Sequence, residues 1–176
     1  MKGSTKYKLY SVLPFCTQKG DIYMKYVGKW FFHSIGVMNE SGEMVYMTAE
    51  EYINSPMEYI DKTDEEAVEC EMHERKQTVA SCVEICEDGK WYAMIPIPEG
   101  VSEEEVNAAV ASGEINLRDG MLYDAPMLWE ERDGKLWVNT GVEGEVLGEK
   151  ADPWACATDD EGYFYIMTSR YKKGDE

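Results

Sequence analysis

Between Thr78 and Pro98 the chain reads TVASCVEICEDGKWYAMIPIP, and its apolar positions alternate. Val79, Ser81, Val83 and Ile85 fall on one side, and Ala80, Cys82, Glu84 and Cys86 on the other. A period of two places successive side chains on opposite faces of a strand. Asp88-Gly89 then offers a residue that tolerates a left-handed backbone and a glycine free to take positive φ, as a tight hairpin needs. The return strand, Trp91–Ile97, is aromatic and aliphatic. Pro96 and Pro98 cannot donate to a ladder, so it ends there or lies at an edge.

The same alternation predicts strands elsewhere. Leu9–Phe15 reads as a first short strand or a plug-like segment, and Ile22–Val27 alternates. Val27–Met38 follows, then Glu43–Met47 beyond the turn at Asn39–Gly42. Met121–Glu131 and Lys135–Thr140 make a second hairpin across Arg132-Asp133-Gly134. One short strand is predicted near Val146, and Gly162–Ser169 is the last: Tyr163, Tyr165 and Met167 on one face, Phe164 and Ile166 on the other.

Three stretches carry helix signals. Thr48-Ala49-Glu50-Glu51 is a capping box, and Pro56 stops the helix early, over about residues 49–54. Ser102-Glu103-Glu104-Glu105 is a second box. Val106, Ala109 and Val110 supply an apolar stripe, and Gly113 is placed to end a helix at 103–112. Over 64–76 the Thr63-Asp64-Glu65-Glu66 signal suits a helix. The alternation of Val68, Cys70 and Met72 favours a strand, which is the expectation here.

Composition narrows the class. The 176 residues suit one domain, with 1–8 and 171–176 expected as frayed tails. Five Trp, 12 Tyr and 4 Phe argue for a packed core rather than disorder. A net charge of −18 repels phosphates and anionic membranes. No basic patch offsets it, since Lys172-Lys173 is only a short tail, so neither nucleic acid nor membrane is an expected partner. No apolar run reaches the ~18 residues of a spanning helix, and no signal peptide is read at the start. Five scattered cysteines, an odd number, fit reduced thiols in a cytoplasm.

Gly28-Lys29-Trp30, opening a strand early in the chain, resembles the Gly-X-Trp signature of the lipocalins and related calycin barrels. The resemblance implies a closed antiparallel barrel with Trp30 across its closed end. It also implies Arg170, just after the last predicted strand, lying over that indole as a cation–π partner. Thr158-Asp159-Asp160 only faintly matches the family's Thr-Asp-Tyr loop, and the acidic helix at 103–112 departs from the simple barrel.

The expected fold is therefore mainly β, an antiparallel lipocalin-like barrel or a strongly curved sheet with one or two short helices. The expected function is non-catalytic binding of a small apolar or aromatic molecule. Phe32, Trp91, Met94, Trp129, Trp137 and Tyr165 are expected to line its cavity. One alternative is a lyase or isomerase on this scaffold, with His33 pointing inward as acid and base. Another is an acidic module docking on a basic partner. A homodimer is compatible with the sequence. His73 lies among Glu71, Glu74 and Arg75 and reads as solvated. Cys82 and Cys86, with Cys70 and His73, contain the soft ligands of a metal site. Strand residues four apart lie ~13 Å from each other, so no metal and no cofactor is expected.

Overall fold

A computed structural model describes residues 25–142, 144–146 and 149–174. In chain order its elements are β1 (Gly28–Met38), β2 (Met44–Met47), α1 (Ala49–Asn54), α2 (Glu65–Val79), β3 (Cys82–Ile85), β4 (Lys90–Pro96), α3 (Glu103–Ser112), β5 (Asn116–Arg118), β6 (Met121–Tyr123), β7 (Met127–Arg132), β8 (Lys135–Asn139), β9 (Glu145–Val146), β10 (Glu149–Lys150), β11 (Trp154–Cys156), β12 (Phe164–Ile166) and β13 (Ser169–Lys173). The segment predicted at Leu9–Phe15 lies outside the described residues, as does most of Ile22–Val27. Lys25 and Tyr26 are helical rather than extended.

Local signals explain many of these elements. At the β3–β4 turn Asp88 accepts a hydrogen bond from the Lys90 amide, and Gly89 takes φ +79°. Thr48 and Glu51 close the capping box of α1, and Ser102 and Glu105 that of α3, with Gly113 left-handed behind it.

Along the main path the strands run β11-β8-β7-β4-β3-β1-β13-β12, every pairing antiparallel. The hairpin β5–β6 joins β4 at Met94–Pro96, while β7 takes the same edge at Lys90–Trp91. β9 pairs only with β10. The sheet curls into a half-barrel. At one end its edges meet, because the Ala157 amide donates to the Leu136 carbonyl and the Ala157 carbonyl accepts from Tyr165. At the other end, among the described residues, no strand pairing joins β12 to the β5–β6 hairpin.

The closed end is solid. Tyr26, Trp30, Val83, Ile85, Trp91, Trp129, Leu136, Ala157, Phe164 and Tyr171 form one buried cluster, drawn from every strand of the main path but β11. Phe164 is fully buried at its centre, with ring centroids 5.5 Å from Trp91, 6.1 Å from Trp30 and 6.4 Å from Tyr171. α2 touches β1 and β4 and lies towards the open end.

Four expectations are corrected. Met121–Glu131 is two strands rather than one, β6 and β7, which pair with different stretches of β4. Residues 65–79 are helical. The Asp64 carboxylate caps the helix by accepting from the Ala67 amide, Glu65 and Glu66 sit in its positive first turn, and Glu71 pairs with Arg75 one turn on. Val68, Met72, Arg75 and Val79 recur at helical spacing, and the alternation at 68 and 72 was part of that stripe. Gly162–Ser169 is not one strand: the chain reverses at Met167, which takes φ +53°. Ser169–Lys173, expected in part as a frayed tail, is the strand β13, paired with both β1 and β12.

Candidate functional site

The aromatic residues expected to line a cavity separate. Trp91 and Trp129 are buried in the core, and Phe32 packs beside it, edge-on to Tyr171 at 6.2 Å. The Trp129 indole donates to the Cys86 carbonyl; the Trp91 indole N–H has no hydrogen-bond partner among the described residues. Trp137 and Tyr165 lie on the outer face, because their neighbours Leu136 and Phe164 point inward. Trp137 is covered there by the Arg132 guanidinium.

Met94 is the member of that set that reaches an opening. A cleft of about 500 Å³ lies where the filled core ends. Its walls are Ile35 of β1, Cys82 of β3, Ala93, Met94 and Ile95 of β4, Ile166 and the Met167-Thr168 turn. Glu74, Gln77 and Thr78 of α2 stand on one side. Ser81, Ser169 and Tyr171 bring hydroxyls to it. The Ser81 and Tyr171 hydroxyls are 2.9 Å apart, and Ser81 also donates to the Thr78 carbonyl. Burial pushes the Tyr171 hydroxyl and the Cys82 thiol above their ordinary pKa values, so both stay protonated at neutral pH. At the lip Met167 is 96% exposed and Ile95 40%. A long apolar side chain in water, on a residue held at positive φ, is an arrangement that free energy alone does not favour.

Chemistry-bearing side chains gather on the outside of β12–β13. His33 alternates with the inward-packed Phe32, so it is exposed on the outer face beside Tyr163, 4.7 Å between ring centroids, and a bulge between Phe32 and Ser34 shifts the phase of β1 beyond it. His33 does not point into the barrel as expected. Arg170 corrects a second expectation. It lies in β13, and its guanidinium stacks on Tyr46 at 3.4 Å from the ring centroid, with Tyr163 and Tyr165 at 5.0 and 5.5 Å. Trp30 is inside, bonded to the Tyr26 carbonyl. Gly36 leaves the space for Tyr46: a Cβ there would meet the Met44 sulfur at 2.6 Å and the Tyr46 ring at 3.2 Å.

Within this cluster Arg170 Nε donates to the Tyr165 hydroxyl at 2.8 Å, and that hydroxyl donates to Asp159 at 2.6 Å. Burial first, then the bond to Asp159, raises the Tyr165 pKa well above the ordinary 10.0. Burial alone would raise Asp159, but the bonds from Tyr165 and the Tyr163 amide and the Arg170 charge hold it below the usual carboxylate range. A tyrosine with a raised folded pKa stabilises the fold fully below its unfolded value and loses that contribution as pH rises towards the folded one. Stability measured by urea unfolding is therefore expected to fall as pH climbs past 10.0, and less steeply in Tyr165→Phe. At neutral pH that variant loses about 1 kcal/mol. Equal slopes in the two proteins would contradict this account.

Among the described residues no three His, Cys, Asp or Glu side chains come together as metal ligands. Cys70 is exposed on α2, Cys82 is buried with its thiol 3.3 Å from the Met121 sulfur, and Cys86 lies near Arg118. Among the described residues no helix is long and apolar enough to cross a membrane.

Models of protein families include none that matches this chain, and searches of curated proteins and of solved structures find no match either. Fold and site geometry are what the functional reading stands on.

Proposed function

We propose that the protein binds one small, largely apolar molecule, non-catalytically, in the cleft at the open end of its half-barrel. The observation that carries this is the cleft itself. Its volume of about 500 Å³ falls in the range of small-molecule sites, ~300–1,000 Å³. Apolar side chains dominate its walls, five of its lining residues carry hydroxyls, and Ile95 and Met167 remain exposed at its mouth. The calycin resemblance is kept only in part: the solid end around Trp30 fits it, and the position of Arg170 does not.

The test is titration with the neutral dye Nile red, alongside mass analysis of any molecule released from purified protein on denaturation. Wild type is expected to bind the dye with one-to-one stoichiometry. Ile95→Lys puts an ammonium into the apolar wall and is expected to weaken binding about tenfold or more. Ile95 is already partly exposed, so unfolding should shift by less than about 0.5 kcal/mol. Absence of saturable binding, or equal affinity in the variant, would refute the proposal.

A further inference from the structure

Resting on that reading, we infer that the molecule held in the cleft is an amine, an apolar body carrying one protonated nitrogen that pairs with Glu74. The walls of the cleft include Glu74 and, among the described residues, no Lys, Arg or His. Two of its hydroxyls are already engaged, since Ser81 bonds both Tyr171 and the Thr78 carbonyl, and the other hydroxyls of the lining carry no charge. A ligand therefore meets one unanswered charge there, and it is negative.

The rest of the helix leaves it so. One turn either way along α2, Glu74 has Cys70 and Glu71 on one side and Gln77 and Thr78 on the other, none of them basic. Arg75 is turned into a different groove, where it pairs with Glu71. Lys76 reaches Glu99 at 3.9 Å. No ion pair of Glu74 is found among the described residues. The net charge of −18 adds a long-range field that draws cations and repels anions. An anionic ligand would bring a second negative charge beside Glu74 with nothing to offset it. A neutral one would leave the carboxylate unused.

Three probes of nearly one shape separate the cases: naphthylmethylamine, naphthylmethanol and naphthoate, titrated by calorimetry at low and high salt. The ammonium is expected to bind roughly fivefold tighter than the alcohol, and naphthoate weakest. Salt should narrow the gap. Glu74→Gln should bring the amine down to the alcohol's affinity. Glu104→Gln on α3, outside the cleft walls, should leave the gap intact, which separates a local pair from the general field. Amine and alcohol binding equally to wild type, or a gap that survives Glu74→Gln, would overturn the inference and leave the cleft reading standing. Failure of the alcohol and the amine alike would overturn both.

Discussion

Phe164→Ala is expected to lower stability by about 3–5 kcal/mol, the cost of deleting a buried aromatic ring and leaving its cavity behind. The site cannot collapse easily. Trp30, Trp91 and Tyr171 hold the ring from three sides, each anchored in a different strand. Those strands are themselves fixed by paired backbone, so their indoles and phenol cannot slide inward to fill the gap. Total stabilities of domains are ~5–15 kcal/mol, so the variant should be partly unfolded at room temperature or lose most of its resistance to urea. Phe164→Leu keeps much of the volume and should cost less than half as much. Urea unfolding followed by tryptophan fluorescence measures both. A loss below about 1 kcal/mol for the alanine variant would mean that the ring is not central to the core.

Arg75→Ala is expected to cost nearly as much, about 3–5 kcal/mol, by another mechanism. This guanidinium is buried on α2 and makes bonds in three directions. Nε donates to Glu71 at 2.7 Å. Nη1 meets the carbonyls of Tyr52 and Ser55 and the Ser55 hydroxyl at 2.8–2.9 Å, and Nη2 approaches the Pro56 carbonyl at 3.4 Å. Removing it strands the Glu71 carboxylate and the carbonyls that end α1. A flat fork of five donors does this work, and an ammonium cannot reach all the same acceptors. Arg75→Lys should therefore recover only a minor part of the loss. Limited proteolysis should show earlier cleavage between Ser55 and Asp64 in both variants. Intact resistance there, with lysine as good as arginine, would show that charge alone matters at this position.

Much of the fold was legible because local chemistry decided it. Asp88-Gly89 and Asp133-Gly134 announced their hairpins, and Gly89 and Gly134 both take positive φ. The boxes at Thr48 and Ser102 announced their helices to the residue. The β12–β13 reversal was illegible because Met167-Thr168 carries none of the usual turn residues, and a methionine is an unusual occupant of a left-handed position. Losing that turn moved Arg170 past the end of a strand on paper, when it belongs within β13. The bulge at His33 was hidden for a related reason. One extra residue flips every later side chain of β1, and nothing in Trp30-Phe31-Phe32-His33-Ser34 marks it.

The cleft was harder still. Its walls come from β1, β3, β4, α2 and the β12–β13 turn, which no stretch of sequence brings together. Large aromatics were natural choices for a lining, but burying one within the closed end removes more apolar area from water than edging a cleft with it. Trp91 and Trp129 went there, and smaller residues such as Ala93 and Ser81 were left around the opening. Met94 was picked out for its pliability and does reach the cleft.

β1 has a further consequence, for the order in which the protein can be made. Its first half is flanked by β3 on one edge and β13 on the other, and Trp30 faces Val83 and Lys173 at once. The first of these partners leaves the ribosome soon after β1, while the second follows on the order of ten seconds later at ~5–20 residues per second. Throughout that interval one edge of β1 has no mate, and the inner faces of Trp30 and Phe32 lack Phe164 and Tyr171. Such long-range pairing slows folding. A growing chain that stalls short of Ser169 presents an unpaired aromatic strand to its neighbours, and only the last strand of the chain closes that edge.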